Sequence, residues 1–436
     1  MFQLHDRTRR RLTILAFCCL CALPTILVIG WGLWRRLPGH MDAEARRLSH
    51  QLGVKVTLEG IEHLRPGTVR YQGLTLVDSE TGTTLVKCRR LEAGWRTSFN
   101  PNGEGELALV LTGWWPEVHI GRLNQLWRVI ENVLVRQSQF AKMRVQLDAR
   151  QAALLLEDSS EGLDRVRGLV QTTAERAQAE LSFEMPGLEM AEPAQIRILR
   201  DRSVTPPTTA LELSTGATPL PCSLLAFGIP GFRPLGSKST FGGRLWARKT
   251  SGGWDGGLAG QFAALDLAEA LGGRFPHHLG GELQVTVDSL RVHDGRVSEL
   301  AGSASGGSGQ ISRSLVQSAV RYLGLADGPV RGTPTSLLPY GELAMRFLLD
   351  HRGLELHGQC SSPSSGVLLA DQYGPLLGDP PPGPIPVVNL VQTLVPPDRP
   401  QVSATQQTEW FMRWLPIPER ATDVKEIASA RLEPVR

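Results

Sequence analysis

Lysine is scarce in this 436-residue chain: six residues, against 40 arginines. The 43 acids nearly balance the 46 bases, so the arginine excess is read as compositional and carries no functional meaning. Asparagine is down to five, none of them in an Asn-x-Ser/Thr acceptor site. Of six cysteines, Cys18, Cys19 and Cys21 share one apolar run, while Cys88, Cys222 and Cys360 are far apart. Three scattered body cysteines make neither a disulfide framework nor a metal cluster. There is no H-E-x-x-H pair, no Walker loop and no Gly-X-Y period. Gly302–Gly306 has Ala304 where a nucleophile elbow needs its nucleophile. His277-His278 lies between Pro276 and Gly280-Gly281 and reads as structural, and Asp294-Gly295 and Asp327-Gly328 read as turns. Acids are spread singly. The expectation is a protein that is not an enzyme and has no metal and no cofactor.

Long helices are also disfavoured. Gly (46) and Pro (30) make up 76 residues, too many punctuators for a mostly helical chain. The net charge of +3 is concentrated at the start. Residues 1–36 hold six arginines against Asp6, so the remaining 400 residues sum to −2. That body gives no electrostatic case for nucleic acid.

One long apolar run is present. Leu12–Trp34 is 23 residues without a charge, about 34 Å as a helix and enough to span a bilayer core. Leu12, Leu20, Pro24 and Leu27 lie along it, and Trp31 and Trp34 fall at its far end, where indoles favour the headgroup interface. Arg9, Arg10 and Arg11 precede it, so the positive-inside bias puts the N-terminus in the cytoplasm. The expected location is the inner membrane, single-pass, with the C-terminal bulk in the periplasm. A cleaved signal peptide competes, but its apolar region is usually about 7–15 residues, and Gly30-Trp31-Gly32 is a poor cleavage site.

Beyond the run, Asp42–Leu52 has helical character and ends at Gly53. Then the period changes to two. Val54, Val56 and Leu58 alternate with polar residues, as do Leu107, Leu109 and Leu111, then Leu283, Val285 and Val287, and Leu343, Met345 and Phe347. Gly73 shifts the phase between Tyr71 and Leu74, as a bulge would. The chain suggests about 18 mostly hairpin-linked strands, each with one apolar face to hide. Helical patterns interrupt them at 123–134, at 312–324 and at 386–395. In the second, Ser312 is the expected N-cap and Gly324 the residue after the helix. Gly302–Gly309 reads as a flexible loop. Pro-rich joints at 205–240 and 374–400 divide the chain into a tip and anchor (1–36), a first β region (37–204), a joint (205–240), a second β region (241–373) and a Pro-rich tail segment (374–436).

Four pieces carry a family resemblance: Gly53–Leu58, Pro66–Leu76, Asp78–Gly82 and Leu85–Ala93. Their strand, turn and strand signatures after a membrane helix resemble AsmA-like and TamB-like envelope proteins of diderm bacteria. Trp254, Gly260, Asp266-Leu267 and Gly281–Leu283 repeat the flavour. The resemblance covers about a third of the chain and rests on turn glycines and alternating apolar residues. It implies a mainly β fold, with long twisted antiparallel sheets curled into a groove, an N-terminal transmembrane helix and a few short amphipathic helices. It also implies membrane lipids and other envelope proteins as partners, and the alternating residues named above as candidates for the lipid-facing groove. Eighteen strands at about 4.8 Å would stack to roughly 85 Å, well short of the long family members. The alternative is a structural or adaptor protein of closed β-sandwiches, because alternation alone does not separate a sandwich from a groove.

Overall fold

The computed structural model describes residues 10, 14–34, 38–99, 105–119, 130, 144–155, 160–173, 175–225, 235–249, 253–271, 275–328, 336–362, 364–395 and 415–416. It is mainly β, 58% strand against 18% helix, so the expected class holds, and no barrel closes among these residues. The chain divides into two compact units, residues 1–160 and 161–436.

In the first unit, residues 14–17 are α-helical, Cys18–Ala22 form a π-helical turn, and α1 (Leu23–Trp34) follows. The helix expected over Leu12–Trp34 is thus not one unbroken α-helix among its described residues. Proline at position 24 has no N–H to donate and its ring crowds the carbonyl of residue 20; the π turn, in which the Leu23 N–H reaches Cys18 O, shifts the ladder there. α1 keeps 12 residues, about 18 Å. Among the described residues no helix is long and apolar enough to cross a membrane. Residues Arg9, Arg11 and Leu12 lie outside the described residues.

α2 (Pro38–Leu52) ends where the Gly53 N–H bonds Ser49 O at 2.8 Å. The Ser49 hydroxyl oxygen also accepts the Val56 N–H at 2.8 Å, fastening the helix to β1 (Lys55–Thr57). β1 and β2 (Gly60–Arg65) pair along one edge of β3 (Thr68–Val77), and β4 (Thr84–Phe99) takes the other edge. β5 (Gly105–His119) is antiparallel to β4, whereas β6 (Arg144–Leu155) runs parallel to β5. That pair departs from the all-antiparallel expectation, since a parallel neighbour needs a crossover rather than a hairpin. The helical pattern expected at 123–134 falls in that connection and, Ile130 aside, outside the described residues. Gly73 has φ +60°, a left-handed conformation open to glycine, so Tyr71 and Leu74 on either side both enter the core.

The second unit is an antiparallel meander: β7 (Ser160–Thr172), β8 (Arg176–Glu184), β9 (Ala194–Asp201) and β10 (Thr208–Ser214). A short β11 (Leu220–Pro221) pairs with β12 (Thr240–Lys249) beside β10. Within the Pro-rich 205–240 stretch, β10 and β11 thus pair into the sheet. β13 (Trp254–Asp266) and α3 (Leu267–Leu271) come next, then β14 (Leu279–Gly280), β15 (Glu282–His293) and β16 (Arg296–Gly306). β17 (Gly309–Ser312) leads into α4 (Arg313–Ser318), which a π turn extends to Leu323. β18 (Ala326–Asp327), β19 (Leu337–Tyr340), β20 (Glu342–Asp350), β21 (Gly353–Gly358), β22 (Val367–Asp371), β23 (Gly374–Gly378) and α5 (Val387–Leu394) complete it. The meander runs β12, β13, β15, β16, β20, while β14, β17 and β19 form a separate small sheet.

Ser312 is the N-cap of α4 as its position suggests, its hydroxyl accepting the Leu315 N–H at 3.3 Å, and Gly324 follows with φ +70°. The Gly302–Gly309 loop is a correction: Gly302 to Gly306 lie in β16 and Gly309 opens β17. A Cβ on Gly302 would meet the Thr286 carbonyl and sit 3.0 Å from the Phe347 ring. Glycine is there for close packing rather than flexibility.

Candidate functional site

The register of the second unit lines up apolar residues in rows across its strands. One row passes from Leu181 on β8 through Leu213, Leu245, Leu290 and Leu300 to Leu354 on β21. Rows on one side of it are closed by the chain itself. Phe241 and Phe262, with ring centroids 4.8 Å apart, pack in one cluster with Leu315 and Val316 of α4 and Ala319 and Leu323 of its π extension. His277 ties this cap together. Its Nε2 donates to Thr393 O in α5 at 3.0 Å, and its Nδ1 lies 3.0 Å from Ser314 Oγ in α4. That is the structural role expected of it.

Cover falls off within this row and beyond it. Leu213, Leu245, Leu290 and Leu300 are half-buried against the edge of that cluster, with Leu258 and Leu349 buried among them. Leu211, Ala247 and Val292 one row further on are half-buried too, beside buried Ile198. The next row turns polar: Arg200 donates to Thr209 Oγ1 at 2.9 Å, and Lys249 and Trp254 sit beside them in register. Trp254 is 40% exposed. From Phe241 to Lys249 the face therefore grades from sealed core through half-covered aliphatics to cations over about 27 Å. Such a gradient suits hydrocarbon with a polar end.

No family model, curated protein or solved structure matches this chain.

The residues singled out by alternation divide in two. Leu283, Val287 and Leu343 are buried in the capped cluster, and Val285, Met345 and Phe347 are partly buried against it. Val54 and Val56 are buried in the first unit's core, with Leu48 and Leu52 of α2 and Leu58 packed on the same cluster. The buried ones serve the chain's own packing, whereas Val285, Met345 and Phe347 share the partly buried state of Leu213, Leu245, Leu290 and Leu300 against the same cluster. Leu109 and Leu111 are half-buried on β5, between Trp95 and Ala93 of β4 and Val145 and Leu147 of β6, and Trp95 is 52% exposed. Leu107 pairs with Thr97 through its backbone, and its side chain lies outside the described residues. The half-covered row of the second unit was legible as alternation at Leu211 and Leu213, but Leu245, Leu290 and Leu300 sit in strands broken by bulges and glycines, where the period of two is lost.

Alternation does not pick out two titratable clusters. His293 Nδ1 lies 2.8 Å from Asp255 Oδ1, with Asp294 beside it, all three ligand-type atoms within 4.8 Å. They sit where β15 turns into β16, and Asp294 (φ +48°) with Gly295 (φ +75°) makes the expected tight turn. Asp255 comes from the neighbouring strand β13, a pairing no spacing reveals. In the first unit, His40, Glu44 and Arg47 of α2 face Ile61, His63 and Arg65 of β2 across a cleft floored by Pro66, Gly67 and Val69. Part of a signal existed: i, i+4, i+7 on α2 and i, i+2 at Ile61 and His63 each define one face, but the register shifts before Arg65.

Proposed function

We propose that this protein is a membrane-anchored, non-enzymatic protein of the bacterial cell envelope that handles lipids through the apolar face of its β-sheet. The observation that carries this is the partly exposed set Leu213, Leu245, Leu290 and Leu300 at the edge of the core cluster, in register with buried Leu258 and Leu349 and two rows from the polar Arg200 and Lys249. A sheet face that its own chain needs only as core would be sealed across, as the α4 and α5 end is. Contiguous apolar surface left part-open is the usual mark of a binding surface.

Anchoring is the second part of the reading. Helical backbone continues from residue 14 through the π turn to Trp34, about 30 Å in all. Ile14, Leu15, Phe17, Leu20, Leu23, Ile26 and Ile29 are 55–76% exposed on it. Water is a poor solvent for seven such side chains in one helical run, and a bilayer is a good one. The AsmA-like resemblance fits both parts: curled sheet behind an N-terminal membrane helix, inner-membrane location and a periplasmic body.

A closed structural module that docks a protein partner is the second reading, favoured by the α4, α5 and small-sheet cap over one end of the face. Mass spectrometry of the full chain, purified in detergent, separates the two. Phospholipid is expected to co-purify, be lost on delipidation and return on exposure to envelope lipid extract, and a Leu213→Asn/Leu245→Asn variant of unchanged circular dichroism is expected to carry severalfold less. A lipid-free chain in every preparation would favour the docking module.

A further inference from the structure

The cleft between α2 and β2 is not used by the apolar-face reading. α2 offers His40, Glu44 and Arg47 at i, i+4 and i+7 on one face of the helix, and β2 lines the same cleft with Ile61, His63 and, past a register shift, Arg65. The two imidazoles lie with ring centroids 5.9 Å apart. The acid is already engaged: Glu44 Oε1 accepts the Tyr71 hydroxyl at 3.1 Å, and Oε2 lies 3.5 Å from Arg47. Two guanidiniums against one carboxylate leave the cleft at +1 with the imidazoles counted as uncharged. Its remaining wall, Ile61, Pro66 and Val69, is apolar. Only three residues separate α1 from α2, and His40 lies six residues beyond Trp34, at most about 20 Å of extended chain.

From these observations we propose that the cleft binds a phosphate group, with Arg47 and Arg65 as its cations. A phosphodiester carries one negative charge and matches the +1 cleft, and glycerol carbons attached to it match Ile61 and Val69. A lipid headgroup at the exit of the anchor and a free phosphate share this chemistry. The lipid source rests on the anchoring reading above; the phosphate chemistry does not.

The test uses the full chain in dodecyl maltoside, followed by native mass spectrometry with dioleoylphosphatidylglycerol or with dioleoylglycerol, which has the same chains and no phosphate. Phosphatidylglycerol is expected to be retained about tenfold better, in line with two charge-assisted hydrogen bonds. The Arg47→Gln/Arg65→Gln variant is expected to lose that preference with total lipid load on the sheet unchanged, while Arg47→Lys/Arg65→Lys retains part of it. In a second arm, equilibrium dialysis with radiolabelled inorganic phosphate reports the free anion. Phosphate binding abolished in the glutamine variant, with no lipid preference, assigns the cleft to free phosphate. Equal retention of the two lipids together with no phosphate binding, or a glutamine variant that keeps the preference, overturns the proposal. Loss of all lipid load would instead strike the apolar-face reading and leave the phosphate arm standing.

Discussion

Single residues decide how closely the strands of this protein approach one another. Gly302 lies on the capped face of β16, with the Thr286 carbonyl and the Phe347 ring where a Cβ would go. Gly302→Ala is expected to cost about 1–3 kcal/mol, the range for overpacking a tight site, and urea unfolding followed by tryptophan fluorescence reads it; an unchanged midpoint would contradict the packing account. Tyr71 is the residue whose titration matters most. Burial, and then the Glu44 carboxylate, push its phenol pKa well above the ordinary value. The folded state therefore keeps the proton when the unfolded chain, at about pH 10, begins to lose it. Stability from this group is complete below that pH and falls as pH rises beyond it. Urea midpoints between pH 9 and 11.5 are expected to drop for the native chain and to drop less for Tyr71→Phe; equal slopes would contradict it.

At the scale of elements, caps and pairings hold the closed end of the sheet. Ser312 Oγ accepts the Leu315 N–H and, at 3.1 Å, the His278 N–H, so one hydroxyl fixes both the start of α4 and the segment that carries His277. Ser312→Ala is expected to cost about 1–2 kcal/mol and to speed hydrogen exchange in α4 ahead of the strands; uniform exchange would contradict a cap specific to α4. The start and end of this element were legible, because Ser312, Leu315 and Gly324 carry local signals for the start, the buried stripe and the end of a helix, while its π-helical second half, Ala319–Leu323, was not. α5 was legible for a similar reason, with Pro386 before it. What was not legible depends on partners far away in sequence. The parallel pairing of β5 with β6 follows from a crossover, not from anything within either strand. The interruption at Cys18–Ala22 arises from one proline inside a run whose hydropathy is otherwise uniform. Gly302 looked like loop because its composition does not reveal that Thr286 and Phe347 lie against it.

At the scale of the whole molecule, alternation gave the right fold class, and its clearest runs fall in the core. Leu283, Val287 and Leu343 alternate cleanly because they are core under α4 and its π extension, and clean alternation is strongest where burial is complete. The half-covered row runs through bulged strands, where β15 skips between Val287 and Ser289 and β13 between Phe262 and Leu265. Its apolar character is a property of the assembled sheet. Cys88, Cys222 and Cys360 are buried in the described structure, and burial raises all three thiol pKa values, consistent with body cysteines that serve packing. The central claim is that the aliphatic row of the second unit meets lipid in the membrane-bound protein. Site-specific photo-crosslinking tests it most directly, with a photoreactive residue placed at Leu245 or Leu290 on that face and at Glu212 on the opposite one. The account predicts phospholipid adducts from Leu245 and Leu290 and none from Glu212; adducts to a single protein partner from all three positions, with no lipid, would contradict it.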